Sequence, residues 1–218
     1  MTVRNMKTSE KGIVALMIHE GIVPAPYCDS VGVWTYGIGH TAGAGRPYPR
    51  DMPAGMPADL DGALLDVFEV FRRDLAKYEA EVNSAITAEI SQAQFDAAVS
   101  FHYNTGAIAR ASWVKKLNAG DVAGAAAGIM AWKKPPEIIP RRKAEQDLFK
   151  TGVYPSGSIT VWTVGASGQV IWKPARRLSA PDALSLLRGG IAHEGTAKAR
   201  GGLLAAVLAV LAALFRRK

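Results

Sequence analysis

The chain of 218 residues has one cysteine, Cys28, so it can close no internal disulfide and offers no cysteine cluster for zinc. It also lacks a tract that reads as an export signal. Met1 to Lys7 begins basic, but the apolar stretch of about seven to fifteen residues that such a signal needs does not follow. No internal repeat is evident: His193-Glu194-Gly195 echoes His19-Glu20-Gly21, yet nothing after Glu194 supplies a partner carboxylate. Apolar residues are not scarce. At 49% hydrophobic and 21% charged, the composition excludes a disordered or fibrous chain. The length suits one large domain or a compact domain with an appendage, with no need of covalent staples.

A uniformly basic surface is missing too. The formal charge is +7, but residues 1–152 hold 17 Lys+Arg and 17 Asp+Glu, leaving 9 basic and 2 acidic residues in 153–218. Bulk charge therefore gives the first part no nucleic-acid groove, and no nucleic-acid partner is expected. The asymmetry places a boundary near Gly152, giving an expected division into 1–152, a basic hairpin and linker over 153–200, and a tail over 201–218. That tail runs from Gly201 to Phe215 without a charge, between Arg200 and Arg216-Arg217-Lys218. As a helix it would reach about 22 Å at roughly 1.5 Å per residue, short of the ~30 Å hydrocarbon core. Snorkelling arginines and local thinning make a short membrane anchor feasible; a buried or oligomerising helix is the alternative.

Periodicity organises the rest. Ile13, Leu16, Met17 and Glu20 fall at helical spacing behind Ser9 as a cap, and Gly21 stops that helix. From Tyr27 to His40, Gly, aromatic and β-branched residues interleave as in a small hairpin sheet. The Pro/Gly-rich stretch from Gly43 to Pro57 predicts a long loop. Leu60, Leu64, Val67, Phe71, Leu75, Tyr78 and Val82 recur every three or four positions from Asp59, predicting one helix of roughly 24 residues. Ser91-Gln92-Ala93-Gln94 is a capping box, and further helices are expected around Ser112–Leu117, Asp121–Trp132 and Arg141–Lys150. Beyond Tyr154, strands on either side of Gly165–Gly168 predict a β-hairpin with Trp162 and Trp172 on its arms. A structural hairpin is the preferred reading of these tryptophans and wall binding the second. The fold class is therefore α+β, predominantly helical: a small mixed lobe, then a helical lobe.

Two carboxyls stand out chemically. Glycosidic cleavage needs a protonated carboxyl to donate to the leaving oxygen and an ionised one on the opposite face of the sugar. Glu20 closes a helix and Asp29 opens a hairpin turn, and the Gly21–Pro26 stretch between them can bend the chain so that they face each other. The apolar stripe before Glu20 predicts partial burial that keeps it protonated, whereas Asp29, in a Gly-flanked polar turn, is expected to stay ionised. Two acids nine residues apart are by themselves also compatible with solvated surface charges.

Their context narrows the reading. Glu20-Gly21, then Tyr27-x-Asp29-x-x-Gly32-x-x-Thr35-x-Gly37-x-Gly39-His40, resembles the active-site segment of the phage-type lysozymes, the endolysin muramidases among the glycoside hydrolases. Further resemblances follow in order: Gln94 to Gly106 is similar to the helical-lobe signature, Ser112 to Gly120 to the "ST…K-L-N-x-G" segment, and Arg141-Arg142-Lys143-Ala144-Glu145 to the Arg-Arg-x-x-Glu helix. Residues 8–152 are covered. The chain departs from the family in having Glu137-Ile138 where Gly-Leu is common.

The resemblance implies a two-lobed lysozyme-like fold and cleavage of the β-1,4 bond between N-acetylmuramic acid and N-acetylglucosamine in peptidoglycan, without cofactor or metal. It implies Glu20 as general acid, with Asp29 and Thr35 activating water and inverting the anomeric carbon. Asn104 and Tyr27 are assigned to substrate binding, against helix capping and core packing respectively. His40, Arg141 and Arg142 read as structural, the histidine as a brace and the arginines as an inter-helix charge network. Synthesis in a host cytoplasm and action on the wall follow, with membrane association through the tail. A lytic transglycosylase, an inactive wall-binding or virion module, and a tail-driven pore-former remain as alternatives. Cys28 reads as a passive, partly buried thiol.

Overall fold

Ser9 starts the first helix. In the computed structural model, which describes residues 5–29 and 32–189, its side chain accepts the Gly12 N–H at 3.0 Å and caps α1 (Glu10–Glu20). The cap is itself held, since Ser9 Oγ donates to Asp96 at 2.5 Å and Tyr154 donates to the same carboxylate at 2.7 Å. Leu16 and Met17 turn inward, and Gly21 ends the helix at φ 67°, its N–H donating to the Met17 carbonyl. That positive φ is one that only glycine adopts without strain.

The chain then builds an antiparallel sheet of β1 (Val23–Cys28), β2 (Trp34–Gly37) and β3 (His40–Thr41), in that order. The first strand begins at Val23, four residues before the expected start, and runs through Pro24 and Pro26. Its pairing with β2 is irregular between Val23 and Tyr27, which accommodates prolines that have no N–H to donate. Cys28, at the end of the strand, is exposed rather than partly buried.

The predicted long helix is α2 (Leu60–Ala85), 26 residues capped by Asp59; at roughly 1.5 Å per residue it spans about 39 Å. The helical lobe follows as α3 (Gln92–Thr105), α4 (Ser112–Asn118), α5 (Val122–Ile129) and α6 (Ile139–Thr151). The Ser91–Gln94 capping box is present in both directions. Helix α5 stops at Ile129 rather than at Trp132, and the chain then turns through the lysines and prolines of 133–136. The α+β reading holds, with short sheets beside a helical majority.

Helix α6 ends at Gly152, and the hairpin beyond it returns to the body. Strands β4 (Ile159–Val164) and β5 (Val170–Leu178) pair antiparallel, and a further helix, α7, occupies 180–189. Ile159, Val161, Leu178 and Ala183 join the core that holds Leu16, Ile22, Phe68, Phe95, Phe101 and Trp113. A two-stranded hairpin is marginal alone, and each large aliphatic side chain buried contributes roughly 1.5–3 kcal/mol. The hairpin also runs along β1: Ile22 N–H donates to the Thr160 carbonyl at 2.9 Å, Trp162 N–H to that of Ile22 at 2.8 Å, and Cys28 N–H to that of Gly168 at 2.9 Å. The apolar run Gly201–Phe215, expected as a membrane-seeking helix, lies outside the described residues. Among those described, no helix is long and apolar enough to cross a membrane.

The Gly43–Pro57 segment is pinned to α2. Arg73 donates to the Arg46 carbonyl and Lys77 to that of Ala44, and His40 reaches both loop and helix from the sheet. Its Nδ1 lies 2.5 Å from Asp74 Oδ2 and its Nε2 is 2.7 Å from the Pro47 carbonyl, with both side chains buried. Each ring nitrogen faces an acceptor, so both carry a proton. Burial by itself would depress the imidazole pKa, but the Asp74 and Pro47 hydrogen bonds and the Asp74 charge outweigh it and hold the value above the ordinary one.

The sign of the consequence is set by linkage. A raised folded pKa gives stabilisation that is complete below about pH 6.5 and lost as pH climbs through the folded value. Urea denaturation is expected to show unfolding free energy falling across that upper window, and His40→Asn is expected to flatten the fall. An unchanged slope in the variant would contradict the assignment.

Candidate active site

Glu20 is the last residue of α1, and Arg141 of α6 meets it, Nη1 donating to Oε1 at 2.6 Å. The carboxyl is 18% exposed. The expected partial burial is present, and a guanidinium that the helix stripe does not predict stands against the carboxyl. Arg141 is buried, and the same side chain donates from Nε to Glu145 at 3.0 Å and from Nη2 to the Ser100 carbonyl at 3.0 Å. Burial alone would lower its pKa, but the charges of Glu20 and Glu145 more than reverse this. Arg142 pairs with Glu145 at 2.6 Å and donates to Asn104 Oδ1 at 2.7 Å. The two arginines thus do link helices α3 and α6, and Arg141 additionally fixes the Glu20 carboxylate.

The second half of the site lies where β1 turns into β2. Asp29 donates its N–H to the Val33 carbonyl at 2.9 Å, and its Oδ1 accepts the Val33 N–H at 2.8 Å. This side-chain-to-backbone closure sets the turn locally. Thr35 is buried in β2 and is the cross-strand partner of Tyr27. The Tyr27 hydroxyl is hydrogen-bonded to Thr35 and senses the charges of both Glu20 and Asp29. Burial first, then those two carboxylates, push the phenol up to about 12 against the opposing effect of Thr35. Tyr27 thus pairs across the sheet with Thr35 and lies within electrostatic reach of both carboxylates.

His19, beside Glu20, is driven down to about 4 by burial and then by Arg141, with Glu20 opposing. It is neutral near pH 7. Gly39, at φ 73°, leaves open the space next to Glu20: a Cβ there would lie 3.5 Å from Oε2 and 3.2 Å from Tyr103 Cε1. A side chain there would be strained at that φ, and its Cβ would rest in contact with the carboxylate oxygen.

Asn104 stands apart from this cluster. It is exposed near the end of α3 and lines, with Thr105, Trp132, Lys134 and Ile138, a cavity of about 420 Å³. Neither Glu20 nor Asp29 lines that cavity. His40 is likewise distant in role, bound to Asp74 and Pro47 as described above. Sequence reasoning missed three neighbours of Glu20. Arg141 lies 121 positions away, Gly39 enters the sequence only as part of a motif, and Trp162 reaches the adjacent Gly21 from the far hairpin. The Arg-Arg pair was a visible signal, but nothing local to it names Glu20 as the partner.

Comparison with known proteins gives the family. The Phage lysozyme family model matches residues 17–145, which begin just before Glu20 and end at Glu145. The endolysin of Acyrthosiphon pisum secondary endosymbiont phage 1 is 34% identical over 158 residues, covering 67% of this chain and 99% of that protein. Among solved structures, the endolysin from Escherichia coli O157:H7 phage FAHEc1 superposes with a TM-score of 0.60 at 30% identity, over 70% of this chain and 99% of that one. The muramidase domain of SpmX from Asticaccaulis excentricus does so with a TM-score of 0.53 at 27% identity, over 66% and 98%. In sequence and in fold, the chain belongs to the phage lysozyme family and is a lysozyme-type peptidoglycan hydrolase.

Proposed function

We propose that the chain cleaves the β-1,4 bond between N-acetylmuramic acid and N-acetylglucosamine with inversion, and that this serves lysis of a host cell in whose cytoplasm it is made. The observation that carries the reading is the placement of three groups from a helix end, a turn and a strand: Glu20 ends α1 with its Oε2 beside Gly39 of the sheet, Asp29 closes the turn after β1, and Thr35 lies in β2 opposite Tyr27. In this reading Arg141 holds Glu20 Oε1, so Oε2, on the side kept open by Gly39, carries the proton delivered to the glycosidic oxygen. As that C–O bond breaks, a water attacks the anomeric carbon from the opposite face. Asp29 takes the water's proton and the Thr35 hydroxyl orients its oxygen. Inversion needs carboxyls about 6.5–9.5 Å apart so that a water fits between them, where a covalent route needs about 5–5.5 Å.

The test is product analysis on purified peptidoglycan. The expected products carry a new reducing end at N-acetylmuramic acid, released first as the α-anomer and showing the added mass of one water. A 1,6-anhydro product would mean transglycosylation, in which no water is used, and a β-anomer would mean retention. Either result overturns the mechanism assigned to Asp29 and Thr35.

A further inference from the structure

The hairpin β4–β5 lies outside the span shared with the family model, yet it is built against the segment that joins Glu20 to Asp29. Its backbone bonds Ile22, two residues after Glu20, and Cys28, one residue before Asp29. Trp162 sits directly on the end of α1. A Cβ at Gly21 would lie 2.7 Å from its Nε1, so the indole fills the place a side chain would occupy. Trp172 packs edge-on to Trp162, with ring centroids 5.4 Å apart and planes at 80°, and is 77% exposed.

Leaving a tryptophan ring this open forgoes its burial, and paired edge-on with Trp162 at the end of α1 it offers an aromatic surface to a ligand leaving the cleft. The same strand carries exposed cations. Lys173 and Arg177 are exposed on β5, and no Asp or Glu occurs between Asp147 and Asp182. Arg176, by contrast, is already paired with Asp61 at 2.5 Å.

We propose that Trp162, Trp172 and Lys173 form an accessory platform for the peptidoglycan glycan strand, continuing the substrate path past the end of α1. This rests on the muramidase reading of the cleft. The apolar face of a pyranose ring stacks on an indole, as every flat amphipathic surface with a polar rim can. The carboxylates of the strand's peptide stems complement Lys173. A polymer long enough to leave the cleft would use the platform, and a short saccharide confined to the cleft would not.

The test uses the full chain and Trp172→Ala, whose wild-type side chain is too exposed to support the core. With purified insoluble sacculi, the variant is expected to need about tenfold more substrate for half-maximal rate, a difference of about 1.4 kcal/mol, with the rate at saturation retained. Hydrolysis of a short soluble muropeptide is expected to be unchanged, and Trp172→Phe is expected to recover most of the loss. Equal behaviour of Trp172→Ala and wild type on sacculi overturns the platform. So does a loss confined to binding of anionic phospholipid vesicles, which would make the ring a membrane contact. If wild type binds sacculi through Trp172 but hydrolyses nothing, the platform stands and the muramidase reading fails. If wild type neither binds nor hydrolyses, both fail.

Discussion

Glu20→Gln is expected to lower peptidoglycan hydrolysis by about 10²–10⁴-fold, the range over which a positioned general acid contributes, while leaving the protein folded. The amide keeps nearly the shape of the carboxyl, and its carbonyl oxygen still accepts from Arg141, so the 2.6 Å contact has a neutral replacement. What is lost is the transferable proton. The loss is expected in the rate at saturation rather than in sacculus binding, because the substitution leaves the shape of the side chain and every other residue of the site unchanged. Turbidity clearance and reducing-end release, measured with a melting curve on the same preparation, separate the two effects. Clearance equal to that of wild type would remove Glu20 from the chemistry, and would leave a pore-forming or purely binding protein to explain any killing of cells.

The largest effect on stability is expected at Glu145. Its carboxylate is 1% exposed and is surrounded by Arg141 at 3.0 Å, Arg142 at 2.6 Å and the Ser100 hydroxyl, which donates at 2.7 Å. Arg142 is itself fully buried. Glu145→Gln therefore strands the Arg142 guanidinium in the interior and leaves Arg141 with Glu20 as its remaining counterion. Removing one member of a buried ionic cluster costs about 3–5 kcal/mol, because the charge left behind has been desolvated without its counterion. For a chain of this size that lowers the melting temperature on the order of 10 °C.

Ser100→Ala removes one hydrogen bond to the same carboxylate and is expected to cost only about 1 kcal/mol. The Glu145 variant is also expected to lose activity below its melting point, since Arg141 holds Glu145 and Glu20 with the same guanidinium. A melting temperature within a degree or two of wild type would show that water or local rearrangement compensates the arginines. The cluster would then not be the clamp between α3, α6 and the end of α1.

Particular residues show which features were legible in sequence. The Ser9 and Ser91 caps, the apolar stripe of α2 and the hairpin at Gly165–Gly168 depend on neighbours three or four positions away, and all of them form where the spacing predicts. Strand β1 starts ahead of the position its pattern predicts because two prolines argue locally against a strand, whereas the pairing with β2 on one side and the hairpin on the other makes a proline-bearing strand tolerable. Cys28 was misplaced for a related reason, as its exposure follows from where that strand ends. The burial of Glu20 was anticipated, but its ionic partner was not.

By itself the sequence determined the helices and hairpins, the turn that Asp29 closes, and the motif spacing that resembles a known family. All of these are set by backbone preference and side-chain reach over a few residues. The pairing of Glu145 with Arg141 and Arg142 is set by its three- and four-residue spacing along α6, whereas only the tertiary structure decided that Arg141 grips Glu20 and that a distant hairpin lays Trp162 over Gly21. The reason is physical. Desolvated charges and apolar faces select partners by what is close in space, and closeness between positions more than a hundred residues apart exists only once the chain has packed.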